Sequence, residues 1–319
     1  MQRHGCFLVQ DQVYKTHESE LAGPFDVDEA KGIVTKDGKL AGVWAGGKAR
    51  VGFPTPSKKL ELWSPTMVDW GWPEFAAPVY AKSHVDEQKL DRARGEMVLV
   101  PTFRLPTLIH TRSANSKWLT ELSNTNPVWI HPSDAARLGL AMGDLVRVAT
   151  RIGYYVNAVW ITEGVRPGVV ACSHHMGRWT VKGDQVSGNH WQLHDVDLRK
   201  VSDTAWLMRR TKPVGAFASN DKDSEKVWWS SGGVHQNMTF PVQPDPVSGM
   251  HCWHQKVVVT KAEPGDRYGD VYVDTAKSMA VFEEWMARTR PAGQHGKNGL
   301  RRPLHLKRVC RPTDEAFKL

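Results

Sequence analysis

Between Thr102 and Trp179, short apolar runs alternate with tight polar turns, and this stretch constrains the fold more than any other part of the chain. The segment NPVWIHPSDAARLGLAMGDLVRVATRIGYYVNAVWITEGVRPGVV, from Asn126 to Val170, is legible piece by piece. VWI predicts a strand. Pro132 suits the first turn of a short helix, Asp134 its positive end, and Gly139 the left-handed residue that stops it. Gly143-Asp144 turns into the alternating strand LVRVAT, Gly153 closes a hairpin into YYVNAVWIT, and Arg166-Pro167-Gly168 makes a type II-like turn into VVACS. Upstream, the run MVLVPTF is almost wholly apolar, as in a strand buried on both faces or set in a barrel wall. Strands this short, joined by tight turns, fit a small closed barrel better than an open sheet, and closure removes exposed edges. The expected fold is mainly β with short helices.

Polar clusters stand at the strand ends, a layout suited to holding a large anionic ligand. Arg104, His110, Arg112, Ser113 and Asn115 fall close together, and Ser113 is placed to cap a helix from Ala114 to Leu122. A helix N-terminus flanked by arginines suits phosphate oxygens, because free N–H groups and guanidinium forks both match them. An ordinary charged surface loop is the alternative reading. After VVACS come His174, His175, Met176, Gly177, Arg178 and Trp179. Adjacent histidines on a strand point to opposite faces, so the pair makes a poor metal site. In a loop, one imidazole and Arg178 would stand beside phosphate or a heterocycle; a structural histidine is the plainer reading. Further on, Gly232-Gly233 frees the backbone, Asn237 suits the edge of a base, Pro246 and Gly249 force turns, and KVVVTKA reads as the last barrel strand.

Outside this core, GIVTKDG and GKLAGVWAGG predict small hairpins with Asp-Gly and Gly-Gly turns. KLELW alternates as a half-buried strand does. Val68 to Lys89, with Pro73 and Pro78, is expected to be irregular and extended. Trp191 to Ser231 reads as a polar linker crossing the surface, with short helical pieces. The tail carries YGDVYVDT and a helix over SMAVFEEWMART with Met279, Phe282 and Trp285 on one side. The 14 tryptophans are read chiefly as core and interface packing.

A net charge of +8 favours acidic partners, which admits nucleic acid, phosphates or an acidic neighbouring subunit. Much of that excess lies in LRRPLHLKRVCRP, where a solvated or docking surface is the simplest account. The four cysteines, Cys6, Cys172, Cys252 and Cys310, form no CxxC pair, so neither a zinc knuckle nor an iron–sulfur cluster is built locally. No apolar run approaches the roughly 20 residues of a membrane span. The first residues lack the apolar core of a signal peptide and read as internal to a larger protein. A soluble protein is expected, with cytoplasm and periplasm both open.

TPSKKLELWS, PTFRLPTLIHTRSANSKWL, NPVWIHPSDAARLGLAMGDLVRV, GVRPGVVACSHHMGRW and DPVSGMHCWHQKVVV together resemble the C-terminal cofactor-binding domain of the dimethyl sulfoxide reductase family of molybdopterin oxidoreductases. The resemblance runs from Phe53 to Ala262, and SDAARLGLAMGDLVRV is its most specific element. It implies a double-psi β-barrel of the aspartate decarboxylase type over residues 96–262. Residues 1–95 would then be an irregular extension left from preceding catalytic-subunit domains, and residues 263–319 a tail with one helix. It also implies molybdopterin guanine dinucleotide, carrying Mo or W, as the cofactor. Position by position, it places Thr102, Arg104, His110 and Ser113 in a loop touching pterin and phosphate. It places His174, His175, Arg178 and Trp179 in the loop after the central strand, Asn237 near the pterin, and Trp253 and His254 in the closing segment. The family's cluster domain and metal ligand are not in this sequence, and Lys58 stands where relatives often carry glycine. The resemblance therefore implies a fragment or split subunit, inactive alone, whose partners are the remaining domains of the catalytic subunit and an iron–sulfur electron-transfer subunit. No nucleic acid and no membrane insertion are expected of it. Two alternatives from other classes are a basic nucleic-acid-binding protein and a non-catalytic barrel acting as an interaction module.

Overall fold

The computed structural model describes residues 16–69, 71–102, 125–174, 179–181, 194–213, 233–246 and 248–288, which fall into two compact units, 16–81 and 82–288. The first unit is an antiparallel meander of β1 (Asp26–Asp28), β2 (Ile33–Lys36), β3 (Lys39–Ala45) and β4 (Lys48–Arg50), followed by the one-turn helix α1 (Pro65–Asp69). Both expected hairpins form. Asp37 and Gly38 have φ of 51° and 72°, and Gly46 and Gly47 have 61° and 71°, the doubly positive pattern whose twist matches the flanking strands. KLELW, by contrast, is not a strand: Leu60, Leu62 and Trp63 are 69%, 66% and 56% exposed. The outer edge of β4 is already taken by residues 19–21, with Leu21 N donating to Ala49 O and Val51 N to Ser19 O. Alternation specifies a strand only where a sheet edge is open to pair with it.

The second unit contains β5 (Glu96–Val100), β6 (Val128–Ile130), α2 (Pro132–Leu138), β7 (Leu145–Ala149), β8 (Gly153–Ile161), β9 (Val169–Ala171), β10 (Trp179–Val181), β11 (His194–Lys200), β12 (Ala205–Pro213), β13 (Gln255–Lys261), β14 (Val271–Asp274) and α3 (Thr275–Met286). Six of these strands close a barrel in the order β8-β6-β9-β5-β13-β7 and back to β8. The pairs β5–β9 and β6–β8 are parallel and the other four antiparallel. β13 completes the ring between β5 and β7, as KVVVTKA predicts.

The turn chemistry read from the sequence holds through this ring. Gly139 is left-handed at φ 63° after α2, and Gly168 has φ 77° in the turn where Val169 N donates to Arg166 O. Along β5 burial alternates, with Met97 and Leu99 inside, so MVLV is barrel wall and not a strand buried on both faces. Val128, Ile130, Val146, Val148, Val257 and Val259 face the same interior at period two.

The long strand β8 leaves the ring and carries β14, β12, β11 and β10 as an open extension. Gly153 at its start is required by space: a Cβ there would lie 1.9 Å from Tyr272 O across the β8–β14 pair. Residues 194–213 correct the expected surface linker, because they form the antiparallel pair β11–β12 and join the sheet through β14. HDVDLRK alternates charge outward with Val196 inward, and Ala205 and Met208 are buried on β12, so a polar outer face hid a strand pattern. The rest of that linker lies outside the described residues. In α3 Trp285 is buried as expected, together with Val281, while Met279 is 55% exposed, so Val281 takes the place on the buried face expected of Met279. Asp274 caps this helix, accepting from Ala276 N and Lys277 N. Packing accounts for Trp72 and Trp285, which are buried, but not for Trp63, Trp160, Trp206 and Trp253, which are 40–56% exposed.

Candidate functional site

Strand directions gather particular chain ends at one mouth of the barrel. Because β5 and β9 run parallel, Pro101-Thr102 and Cys172-Ser173-His174 leave the ring side by side. β6 runs against β9, so its leading residue Asn126 enters at the same end, and the parallel β6–β8 pair brings Asn157 alongside. A 3-10 turn over Gln236–Thr239 joins them, since Gln236 Nε2 donates to Cys172 O at 2.7 Å.

The polar groups of this mouth form a buried network. Asn126 Nδ2 donates to Ser173 O at 2.5 Å, Asn157 Nδ2 to Asn126 O at 2.9 Å, and Thr239 Oγ1 to Gln236 O at 2.7 Å. Asn126, Asn157, Ser173 and Gln236 are all essentially without solvent exposure. Their backbone partners fix the amide orientations of Asn126 and Gln236, which leaves Asn126 Oδ1, Ser173 Oγ, Gln236 Oε1 and Asn237 Oδ1 buried without hydrogen-bond partners among the described residues. The mouth is therefore rich in acceptors. Cys172 lies beneath, and burial pushes its thiol up to about 12, so it is an inert packing group and not a nucleophile.

Aromatic and imidazole rings form the rim. His174 Nδ1 is 2.8 Å from Pro101 O, a contact in which Nδ1–H donates to the carbonyl. The Trp253 ring lies 6.3 Å from that of His174, and His251 meets Trp253 edge-on at 4.7 Å. His84 Nε2 is 2.6 Å from His254 O, and its ring meets Trp285 edge-on at 5.4 Å.

Burial lowers the pKa of His84, His235 and His251, with the neighbouring His84 charge adding to the effect on His251. A histidine held below its ordinary value binds fewer protons folded than unfolded, so stability is full above about pH 6.5 and falls as pH drops from there through the folded values. Melting temperature is therefore expected to decline between pH 7.5 and 5.5, and His84→Gln to flatten that decline. A melting temperature that rises over this interval would contradict the assignment.

Of the residues singled out in the sequence, the structure brings Thr102, His174, Asn237 and Trp253 to this mouth, with His254 next along the chain. Trp179 opens the edge strand β10, separated from the ring in strand order by β11, β12 and β14. Arg104, His110, Ser113, His175 and Arg178 lie outside the described residues. Asn126, Asn157, Ser173 and Gln236 were not singled out in the sequence. One signal was there to read: Asn157 is the lone polar residue in the run YYVNAVWI, and a polar group on a barrel strand is buried only with partners. No helix among the described residues is long and apolar enough to cross a membrane.

Comparison with known proteins gives this mouth a context. Residues 98–205 match the family described as "Molydopterin dinucleotide binding domain". The chain is 29% identical over 157 residues to the arsenate respiratory reductase molybdopterin-containing subunit ArrA of Chrysiogenes arsenatis, covering 41% of this chain and 19% of that one. It is 28% identical over 163 residues to dopamine dehydroxylase of Eggerthella lenta, covering 50% and 15%. To trimethylamine-N-oxide reductase of Haemophilus influenzae it is 30% identical over 134 residues, covering 39% and 15%. The chain thus spans less than a fifth of the length of these relatives. These matches give no support to the nucleic-acid alternative.

Proposed function

Because this chain carries the molybdopterin dinucleotide-binding domain of the dimethyl sulfoxide reductase family, we propose that it serves as the C-terminal part of an oxidoreductase catalytic subunit and that the dinucleotide it holds is the guanine form. The observation that carries the cofactor reading is the acceptor-rich mouth, where Asn126 Oδ1, Ser173 Oγ, Gln236 Oε1 and Asn237 Oδ1 all lack donors among the described residues; the guanine form rests on the resemblance. The 2-amino-4-oxo pyrimidine edge shared by guanine and pterin offers a ring N–H and an amino group.

In this reading Asn237 and Gln236 orient the heterocycle, Thr102 and the backbone beside it meet the phosphates, and Trp253 with His174 shields one face from water. Arg104, His110, Ser113, His175, Arg178, Trp179 and His254 are proposed contacts on the resemblance alone. When bound, the cofactor supplies oxygen-atom or paired electron and proton transfer at its metal, molybdenum or tungsten; this chain's own residues bind and orient it. The metal ligand and the route for electrons belong to the remaining domains of the subunit and to an iron–sulfur partner. Residues 1–95 are proposed as the continuation of those domains, 96–262 as the cofactor-binding barrel and 263–319 as its tail.

The test is acid release of bound nucleotide from the protein purified from its native source, followed by mass spectrometry. GMP is expected, and Gln236→Leu combined with Asn237→Leu is expected to lower nucleotide retention by about tenfold or more, as loss of paired hydrogen bonds does. CMP would overturn the guanine assignment, and absence of any nucleotide would overturn the reading as a whole.

A further inference from the structure

The 16–81 unit contains a groove of about 540 Å³ whose lining includes His17, Trp44, Arg50, Phe53, Lys58 and Lys59. The volume falls within the range of small-molecule sites. His17 stacks on Phe53 with centroids 4.5 Å apart, so Trp44 and this pair provide planar surfaces. Three cations face one lining carboxylate, Glu18, whose Oε1 lies 3.9 Å from His17 Nε2. Arg50 is held by backbone alone, Nη1 donating to Glu18 O at 2.8 Å and Nε to Ala45 O at 3.3 Å, and Lys59 Nζ donates to Lys31 O at 2.7 Å. Lys58 and Lys59 therefore make no ion pair among the described residues, while Arg50 also helps hold the Glu20 carboxyl below its usual range.

Lys58 supplies an independent sign that its side chain has a use. Its φ is 59°, and among the described residues the other non-glycine with positive φ is Asp37, in a hairpin turn. Aspartate tolerates this conformation through its short polar side chain, whereas a long-chain residue there is strained and glycine is not. The loop cannot relax around it, because Phe53 N donates to Lys58 O at 2.8 Å, Lys58 N to Thr55 O at 3.1 Å, and a Cβ on Gly52 would lie 2.4 Å from Lys58 O. Strain kept at a groove-lining lysine whose ammonium makes no hydrogen bond or ion pair among the described residues marks a position held for its charge.

We propose that this groove binds a nucleotide, the planar base against Trp44 and the phosphate against Lys58 and Arg50. Stacking on an aromatic plane and charge-assisted contacts to phosphate together recognise this ligand class, and neither half alone uses the whole lining. The site goes beyond the barrel reading and is made wholly by residues of the 16–81 unit.

Isothermal titration of the full chain with AMP, adenosine and inorganic phosphate tests it. AMP is expected to bind at least about tenfold more tightly than either fragment, because each fragment forfeits one set of contacts. Lys58→Asn, which suits a left-handed backbone, is expected to weaken AMP by about tenfold while melting no lower than the parent, and Lys58→Arg to restore affinity. Trp44→Leu is expected to cost about tenfold as well, the scale of one stacked base. AMP binding that survives both Lys58→Asn and Trp44→Leu, phosphate binding as tightly as AMP, or no AMP binding at all would each overturn the proposal.

Discussion

Arg209→Met is expected to destabilise the 82–288 unit by about 3–5 kcal/mol, the usual cost of leaving one member of a buried ion pair without its partner. Asp270 is 1% exposed, and it precedes β14, the strand that joins the barrel to its sheet extension. Arg209 Nε donates to its Oδ1 at 2.8 Å and Nη2 to its Oδ2, while Nη2 also reaches Gly265 O at 2.9 Å. Arg267 N supplies a further donor to the same carboxylate at 3.0 Å. Methionine fills the space of the arginine stem but supplies no charge, so the buried Asp270 carboxylate would be left without its cation. Replacing both residues, Arg209→Met with Asp270→Leu, is expected to recover most of the loss, since the penalty belongs to the uncompensated charge and not to the missing pair. Urea unfolding of the two variants and the parent checks this; a loss below about 1 kcal/mol for Arg209→Met would show that solvent reaches the carboxylate.

Leu99→Ala is the second large effect, expected at about 3–4 kcal/mol within the 2–5 kcal/mol range for a fully buried leucine. Leu99 has no solvent exposure and lies on β5 between the parallel partner β9 and the antiparallel partner β13, opposite Val170 and Gln255 respectively. Its side chain projects into an interior shared with Val128, Ile130, Val148 and Val257. A ring of hydrogen-bonded strands cannot collapse inward to refill the volume, so the cavity persists. Leu99→Met, which conserves volume, is expected to cost less than about 1.5 kcal/mol. Equal losses for alanine and methionine would show that the interior tolerates voids.

These two variants test scaffold features of the unit that carries the candidate mouth, and they separate scaffold from function. Thr102, His174 and Asn237 project from the ends of ring strands or from the turn joined to them, so their positions follow from the ring's register. Loss of register in β5 or β14 would be expected to lower nucleotide retention together with stability. Gln236→Leu with Asn237→Leu would lower retention with a smaller change in stability.

Much of the ring was legible from the chain because its turns are local chemistry. Gly139 and Gly168 occupy the left-handed positions their neighbours require, Pro132 opens α2, and the apolar residues of β5, β7 and β13 alternate at the strand period. The two strand failures share one cause, edge availability, and the helix failure is one of packing. KLELW has a strand pattern but meets a β4 edge already taken by residues 19–21, residues 194–213 have a polar face and do find an edge, and Met279 lost its place on the α3 face to Val281, which sits at the buried spacing. Edge availability depends on segments distant along the chain.

The same division applies to the mouth. The amino-acid order by itself determined the short strands, their turns and which polar residues stand at their ends, since each depends on interactions within a few residues. Only the tertiary structure decided that Asn126, Asn157, Ser173 and Gln236 meet in one buried acceptor network, because parallel pairing of β5 with β9 and of β6 with β8 joins chain ends that lie far apart in sequence. Backbone hydrogen bonds between distant strands carry that information, and no local pattern encodes it.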